Sequence, residues 1–91
     1  MKTIICGLPF EIKEIEPSSR SDMNLGMSDS KSMLITIKKD MPNEMKELTL
    51  IHEYIHMVLD NYAMEETNNE QLVQTLASEL YRTGFRVKVE K

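Results

Sequence analysis

The first part of the chain alternates between apolar and polar residues, the pattern typical of β-strands. Alternation is clearest in residues 10–16, where apolar residues are interleaved with lysine and glutamate. A short apolar run at 2–6 precedes it, and Gly7-Leu8-Pro9 lies between them as a turn signal. The two segments predict a β-hairpin.

Further strands are predicted before the first helical segment. The clearest is 33–37, which is rich in β-branched residues. A weaker one is 23–27, preceded by a serine-rich loop at 17–22 and followed by a turn at 28–31. Residues 85–89 also alternate, as either a strand or a frayed tail would.

The apolar spacing becomes helical over residues 42–61. Asp40 is a candidate N-cap, and Pro42 suits the first turn, where its missing N–H costs little. The helix is apolar on two sides and should therefore pack on two sides, in a central position. The first side comprises Leu48, Ile51, Ile55, Val58, Leu59 and Tyr62, and the second Leu50, Tyr54 and Met57.

A second helix is predicted over residues 67–83, with Gly84 in a position that commonly follows a helix end. No repeat or long linker divides the chain. The predicted fold is one α+β domain spanning residues 1–91. We expect a small antiparallel sheet of about three strands, packed on the first helix, with the second helix beside it.

Composition narrows the function classes. The net charge is −4 with both signs interspersed, so nucleic acid is not expected as a partner, because phosphate binding needs a basic face. Cys6 is the one cysteine, which excludes an intramolecular disulfide and favours a reducing compartment. We expect it to be a small buried residue of a strand. The N-terminal apolar run is too short for a secretory or membrane-spanning segment, so a cytoplasmic location without a membrane partner is expected.

Both histidines of the chain lie in one H-E-x-x-H motif, formed by His52, Glu53 and His56. Four residues apart on a helix, the two imidazoles share a face and can bind one Zn²⁺ ion. Glu53, about 100° further round the helix, reaches the open side of the ion without binding it. The spacing therefore predicts a zinc site with Glu53 as the catalytic base.

A catalytic zinc site takes a third protein ligand, which must be a carboxylate because no histidine is left. If the two helices form an antiparallel hairpin turning near 63–66, Glu70 returns level with His56 and is the best candidate. Glu66 lies too close to the turn and Glu79 too far along. The extended metzincin motif is excluded, since its glycine and third histidine positions hold Leu59 and Tyr62.

Glu70 and Asp60 each have two possible roles. Thr67-Asn68-Asn69-Glu70 fits a capping box, and one rotamer of Glu70 cannot both cap a helix and bind zinc. Asp60 lies one turn past His56, where it either orients that ring through its N–H or is a solvated acid at a helix end.

With these residues placed, the chain resembles the small metallopeptidase-like proteins of the ImmA/IrrE type, especially the short versions found in phages and prophages. The N-terminal hairpin around Gly7-Leu8-Pro9 is one point of likeness. Leu48 to His56 matches T-L-x-H-E-x-x-H, and Glu70 with Leu76-Ala77 matches E-x-x-x-x-x-[FL]-A. Val73-Gln74 replaces the usual Ala-Asn.

The resemblance implies a zincin-like fold, with His52, His56 and Glu70 as zinc ligands and Glu53 as base. It also implies zinc-dependent hydrolysis of a protein or peptide in a phage, prophage or mobile-element regulatory context. Larger relatives cleave repressor-type regulators.

Substrate binding and transition-state stabilisation are less defined by the sequence. We expect an edge strand, 33–37, to hold an extended substrate by backbone pairing. The oxyanion-stabilising residue stays open among Tyr54, Tyr62, Tyr81 and Arg82.

Two other interpretations remain. One is a catalytically silent interaction module stabilised by zinc, which would have no open coordination position and would unfold on chelation. The other is a metal-free core helix with two incidental histidines.

Overall fold

A computed structural model of the protein describes residues 1–16 and 25–90. The loop predicted at 17–22 and the first two residues of the strand predicted at 23–27 lie outside the described residues.

The sheet has four strands: β1 (Lys2–Ile5), β2 (Leu8–Ile15), β3 (Gly26–Asp29) and β4 (Leu34–Lys38). Their order is β1-β2-β4-β3. The β1–β2 and β3–β4 pairs are antiparallel, whereas β2 and β4 are parallel. The α+β class is confirmed, but the sheet is mixed and has four strands rather than about three. The strand predicted as an edge, β4, is internal, and the edge strands are β1 and β3.

The first hairpin is confirmed, with a tighter turn than predicted. Its two turn residues are Cys6 and Gly7, both with positive φ (52° and 78°). Such a turn matches the right-handed twist of the two strands. Cys6 therefore lies half-buried in the turn instead of within a strand, and Pro9 belongs to β2.

The second hairpin turns at residues 30–33, slightly later than predicted. The Asp29 carboxylate accepts a hydrogen bond from the backbone N–H of Lys31 (3.0 Å). Hydrogen bonds from the Ser32 side chain and from this backbone lower the pKa of Asp29. The turn ends at Met33, which has a φ of 54°, so β4 begins one residue after the predicted start.

Helix α1 (Asn43–Asn61) packs on two sides, as predicted. Towards the sheet, Met57 joins a buried cluster with Ile5, Phe10, Ile12, Ile35 and Ile37. On its other side α1 contributes to a second cluster, formed by Ile51, Ile55, Val73 and Ala77. Pro42 is the N-cap residue, so the prediction that Asp40 caps this helix is wrong.

Helix α2 (Glu70–Arg82) follows a 3₁₀ turn at Glu65–Asn68. Its N-cap is Asn69, whose side chain accepts the backbone N–H of Leu72 (3.0 Å). The capping box beginning at Thr67 is therefore absent, and the Glu70 carboxylate is left free for another role. Gly84, with a φ of 98°, ends the helix as predicted.

The end of the described chain returns to β1. Lys2 and Glu90 exchange two backbone hydrogen bonds, of 2.8 and 2.7 Å, in an isolated bridge. The alternating segment 85–89 does not form a strand, but the Thr3 hydroxyl donates to the backbone carbonyl of Lys88 (2.7 Å). Neither α1 nor α2 combines the length and the apolar character that crossing a membrane would require.

Gly26 allows edge strand β3 to lie close against α1. A Cβ atom added at Gly26 would be 2.8 Å from the Thr49 Cγ2 atom and 3.0 Å from the Thr36 carbonyl oxygen. Both distances are too short for ordinary packing. The absence of a side chain at Gly26 therefore sets the spacing between β3 and α1.

We predict that Gly26→Ala destabilises the protein by about 1–3 kcal/mol, because overpacking forces β3 away from α1. Urea unfolding measures the change. Thr49→Ser removes the Cγ2 atom, so Gly26→Ala should cost less in that background. An equal cost in both backgrounds would show that the Thr49 contact is not the cause.

Candidate metal centre

The two histidines of α1 and the first residue of α2 converge at one point. The His52 and His56 Nε2 atoms are 3.2 Å apart. The Glu70 carboxylate lies 2.7 Å from the His56 Nε2 atom and 3.5 Å from that of His52. All three groups offer ligand atoms within 4.8 Å of one another. The predicted cluster is thus present, because the chain reverses between the helices and returns Glu70 level with His56.

A hydrogen bond to Gln74 selects the tautomer of His52. The Gln74 Oε1 atom lies 2.8 Å from the His52 Nδ1 atom. The Gln74 Nε2 group donates to the Ser78 hydroxyl (3.2 Å), which keeps the amide oxygen towards the imidazole. Because an amide oxygen only accepts, the proton of neutral His52 lies on Nδ1. Its Nε2 lone pair then points at the cluster.

His56 is held in the same way by Thr67. The Thr67 hydroxyl donates to the backbone carbonyl of His56 (3.4 Å) and lies 3.2 Å from its Nδ1 atom. With its single proton used, this hydroxyl accepts from the Nδ1–H group. The His56 ring is therefore oriented by Thr67. Of the two roles left open for Asp60, the structure favours the exposed acid at the helix end over the partner of His56.

The geometry of the cluster fits a tetrahedral divalent ion. Two nitrogens bound to one zinc at about 2.0–2.1 Å and at the tetrahedral angle are about 3.3 Å apart. The two Nε2 atoms are separated by 3.2 Å. Facing lone pairs beside a carboxylate repel one another, and a cation held between them would remove that repulsion. The residues present therefore have the chemistry and the spacing of a metal site.

Glu53 lies in the same cleft but outside the cluster. Its side chain is 7% exposed, and it makes no hydrogen bond or ion pair with another residue in the described part of the chain. The cleft has a volume of about 690 Å³ and is bounded by β3, α1, the 3₁₀ turn and the start of α2. A buried carboxylate without a partner beside a cation site is available to exchange a proton.

Other residues proposed from the sequence lie elsewhere. Tyr54, Tyr62, Tyr81 and Arg82, the oxyanion candidates, are all absent from the described lining of the cleft. Glu66 and Glu79 are not part of the cluster. Glu79 instead pairs with Arg82 on the surface, at 3.2 Å.

Gln74 and Thr67 were not identified as site residues from the sequence. Gln74 had a signal, since it lies four residues after Glu70 and therefore on the same face of α2. Thr67 had none, because its approach to His56 depends on the 3₁₀ turn.

Comparison of the chain with protein-family models, with curated proteins and with solved structures finds no match. The likeness to ImmA/IrrE-type proteins therefore rests on the motif residues alone.

We predict that Gln74→Ala weakens zinc binding by about 10- to 100-fold, because the His52 ring loses the acceptor that orients it. Competition with a chromophoric chelator measures the affinity. Gln71→Ala is the matched control, since Gln71 is an exposed glutamine of the same helix outside the cleft. Equal effects of the two substitutions would contradict the role of Gln74.

Proposed function

We propose that this protein is a zinc-dependent peptidase. The observation that carries the proposal is the convergence of His52, His56 and Glu70, with the unpartnered Glu53 carboxylate in the same cleft. Two imidazoles and one carboxylate form a ligand set of hydrolytic zinc sites, in which the fourth position stays open. The zincin-like fold belongs to the same proposal.

In this proposal His52, His56 and Glu70 hold the ion. Bound there, zinc would supply a Lewis acid and lower the pKa of a coordinated water towards about 7. Glu53 accepts a proton from the attacking water and then passes it to the leaving amine. The exposure of Glu53 to the cleft and its lack of a fixed partner support this shuttle.

The edge strand β3 is the proposed binding strand for an extended peptide, in place of β4. It lines the cleft through Gly26, Met27 and Ser28. On one side it pairs with β4, and no other strand of the described residues covers its second edge. Its backbone groups are therefore available to pair with a peptide. A protein regulator of a phage, prophage or other mobile element is the substrate context that the motif resemblance suggests.

One observation favours a second candidate, a catalytically silent module that binds zinc. No tyrosine, lysine or arginine lines the cleft within the described residues, so neither a phenolic nor a cationic donor is present there to stabilise an oxyanion. In that case Glu53 would have no catalytic role.

We predict that Glu53→Gln retains zinc at wild-type stoichiometry and abolishes peptide hydrolysis. The substitution keeps the size of the side chain and removes its ability to accept a proton. Metal analysis and release of a quenched fluorophore from a peptide library measure the two properties. Wild-type activity in this variant would exclude Glu53 as the base, and an inactive wild-type protein that retains zinc would favour the silent module.

We predict that Glu70→Ala weakens zinc binding and removes most of the rise in melting temperature that zinc produces. Zinc stabilises the folded state in proportion to the logarithm of its affinity, so loss of one ligand lowers this rise. Glu66→Ala is the control, because Glu66 is an exposed acid of the adjacent 3₁₀ turn and is absent from the cluster. Unchanged zinc affinity in Glu70→Ala would place the third ligand elsewhere.

A further inference from the structure

The charged residues that line the cleft are acidic. Three of its described lining residues are acidic, namely Glu53, Asp60 and Glu70, and none is lysine or arginine. A divalent ion held by the cluster would offset two of these charges. One negative charge then remains uncompensated, and Asp60 carries it at the rim of the cleft.

Asp60 has no partner of its own in the described structure. Its side chain is exposed and makes no hydrogen bond or ion pair with another described residue. It lies in the last turn of α1, which contains no basic residue. The helix dipole places partial negative charge at this end, so an acid here is unfavourable until a cation approaches. Both the side chain and the helix end therefore favour a positive group.

The opposite end of the cleft is apolar. Leu48, one turn before His52 on α1, and Leu25, directly before β3, both line the cleft. From Leu48 to Asp60 the helix rises about 18 Å, which is the length of about five extended residues. Asp60 is one turn beyond His56, or about 6 Å along the axis. A side chain that reaches Asp60 therefore belongs to a residue within about two positions of the bond held at the cluster.

We propose that the cleft selects peptides with a lysine or arginine within about two positions of the bond at the metal cluster, and that Asp60 receives the basic side chain. This inference rests on the proposed peptidase function and names its substrate class. Because Asp60 is exposed, the selectivity is modest: an exposed ion pair corresponds to about a twofold to fivefold preference.

The test uses the full chain loaded with zinc and carrying Glu53→Gln, so that peptides bind without being cleaved. The probes are fluorescein-labelled hexapeptides of alanine with leucine near one end. Lysine, glutamine or glutamate is placed near the other end. Each peptide is also made with the reversed sequence, because the direction in which a peptide lies in the cleft is not fixed. Fluorescence anisotropy gives the dissociation constants. In one direction, the lysine peptide should bind about twofold to fivefold tighter than the glutamine peptide, with the glutamate peptide weakest. The preference should shrink in high salt.

Asp60 is tested by substitution in the same protein. Asp60→Asn should abolish the preference, and Asp60→Lys should reverse it. Glu44→Gln is the control that removes the same charge from the other end of α1, outside the cleft, and it should leave the preference unchanged. No binding, no charge preference, or a preference that survives Asp60→Asn would overturn the inference.

Hydrolysis of the same peptides by the wild-type protein separates this inference from the peptidase function. If no peptide is cleaved but the preference for lysine persists, the peptidase function fails and the inference stands. If peptides are cleaved without regard to charge, the inference fails and the peptidase function stands.

Discussion

The site depends on two imidazole nitrogens, the Nε2 atoms of His52 and His56, whose lone pairs point towards one shared position. The two Nε2 atoms are 3.2 Å apart, and the Glu70 carboxylate lies 2.7 Å from that of His56, an arrangement that a shared cation would stabilise. Gln74 and Thr67 hold the far side of each ring, so neither lone pair can turn away without losing a hydrogen bond. The ligands are therefore oriented before an ion binds, which reduces the cost of binding.

The position of α1 places the two histidines and Glu53 in a cleft. One side of the helix packs on the sheet and another on α2. His52, Glu53 and His56 lie on the remaining face of the helix, between these two apolar sides. Gly26 lets β3 approach α1 closely at Thr49. The two packed sides thus hold α1 in place, and the missing side chain at Gly26 sets the distance from α1 to β3 across the cleft.

The features that follow from the periodic spacing of residues along the chain could be predicted from the sequence. Both helices, the shared face of His52 and His56, and the return of Glu70 depend on periodicity and on one helix reversal. The parallel pairing of β2 with β4 could not be predicted, because it depends on the path of the chain between them and not on either strand's own pattern. That Thr67 rather than Asp60 orients the His56 ring could not be predicted either. It depends on a 3₁₀ turn, which no periodic spacing of apolar residues indicates in the sequence.

The location of the cluster bears on the choice between an enzyme and a zinc-stabilised module. Each buried cluster is closed by apolar side chains, and neither includes a histidine or Glu70. The Glu70 side chain is 66% exposed, so an ion there lies at the surface, and the core is packed without it. A module that needs zinc to fold would place the ion between elements that lack other contacts, whereas α1 and α2 already pack through Ile51, Ile55, Val73 and Ala77. An open cleft beside a core that is complete without metal favours chemistry over structural support as the role of the ion.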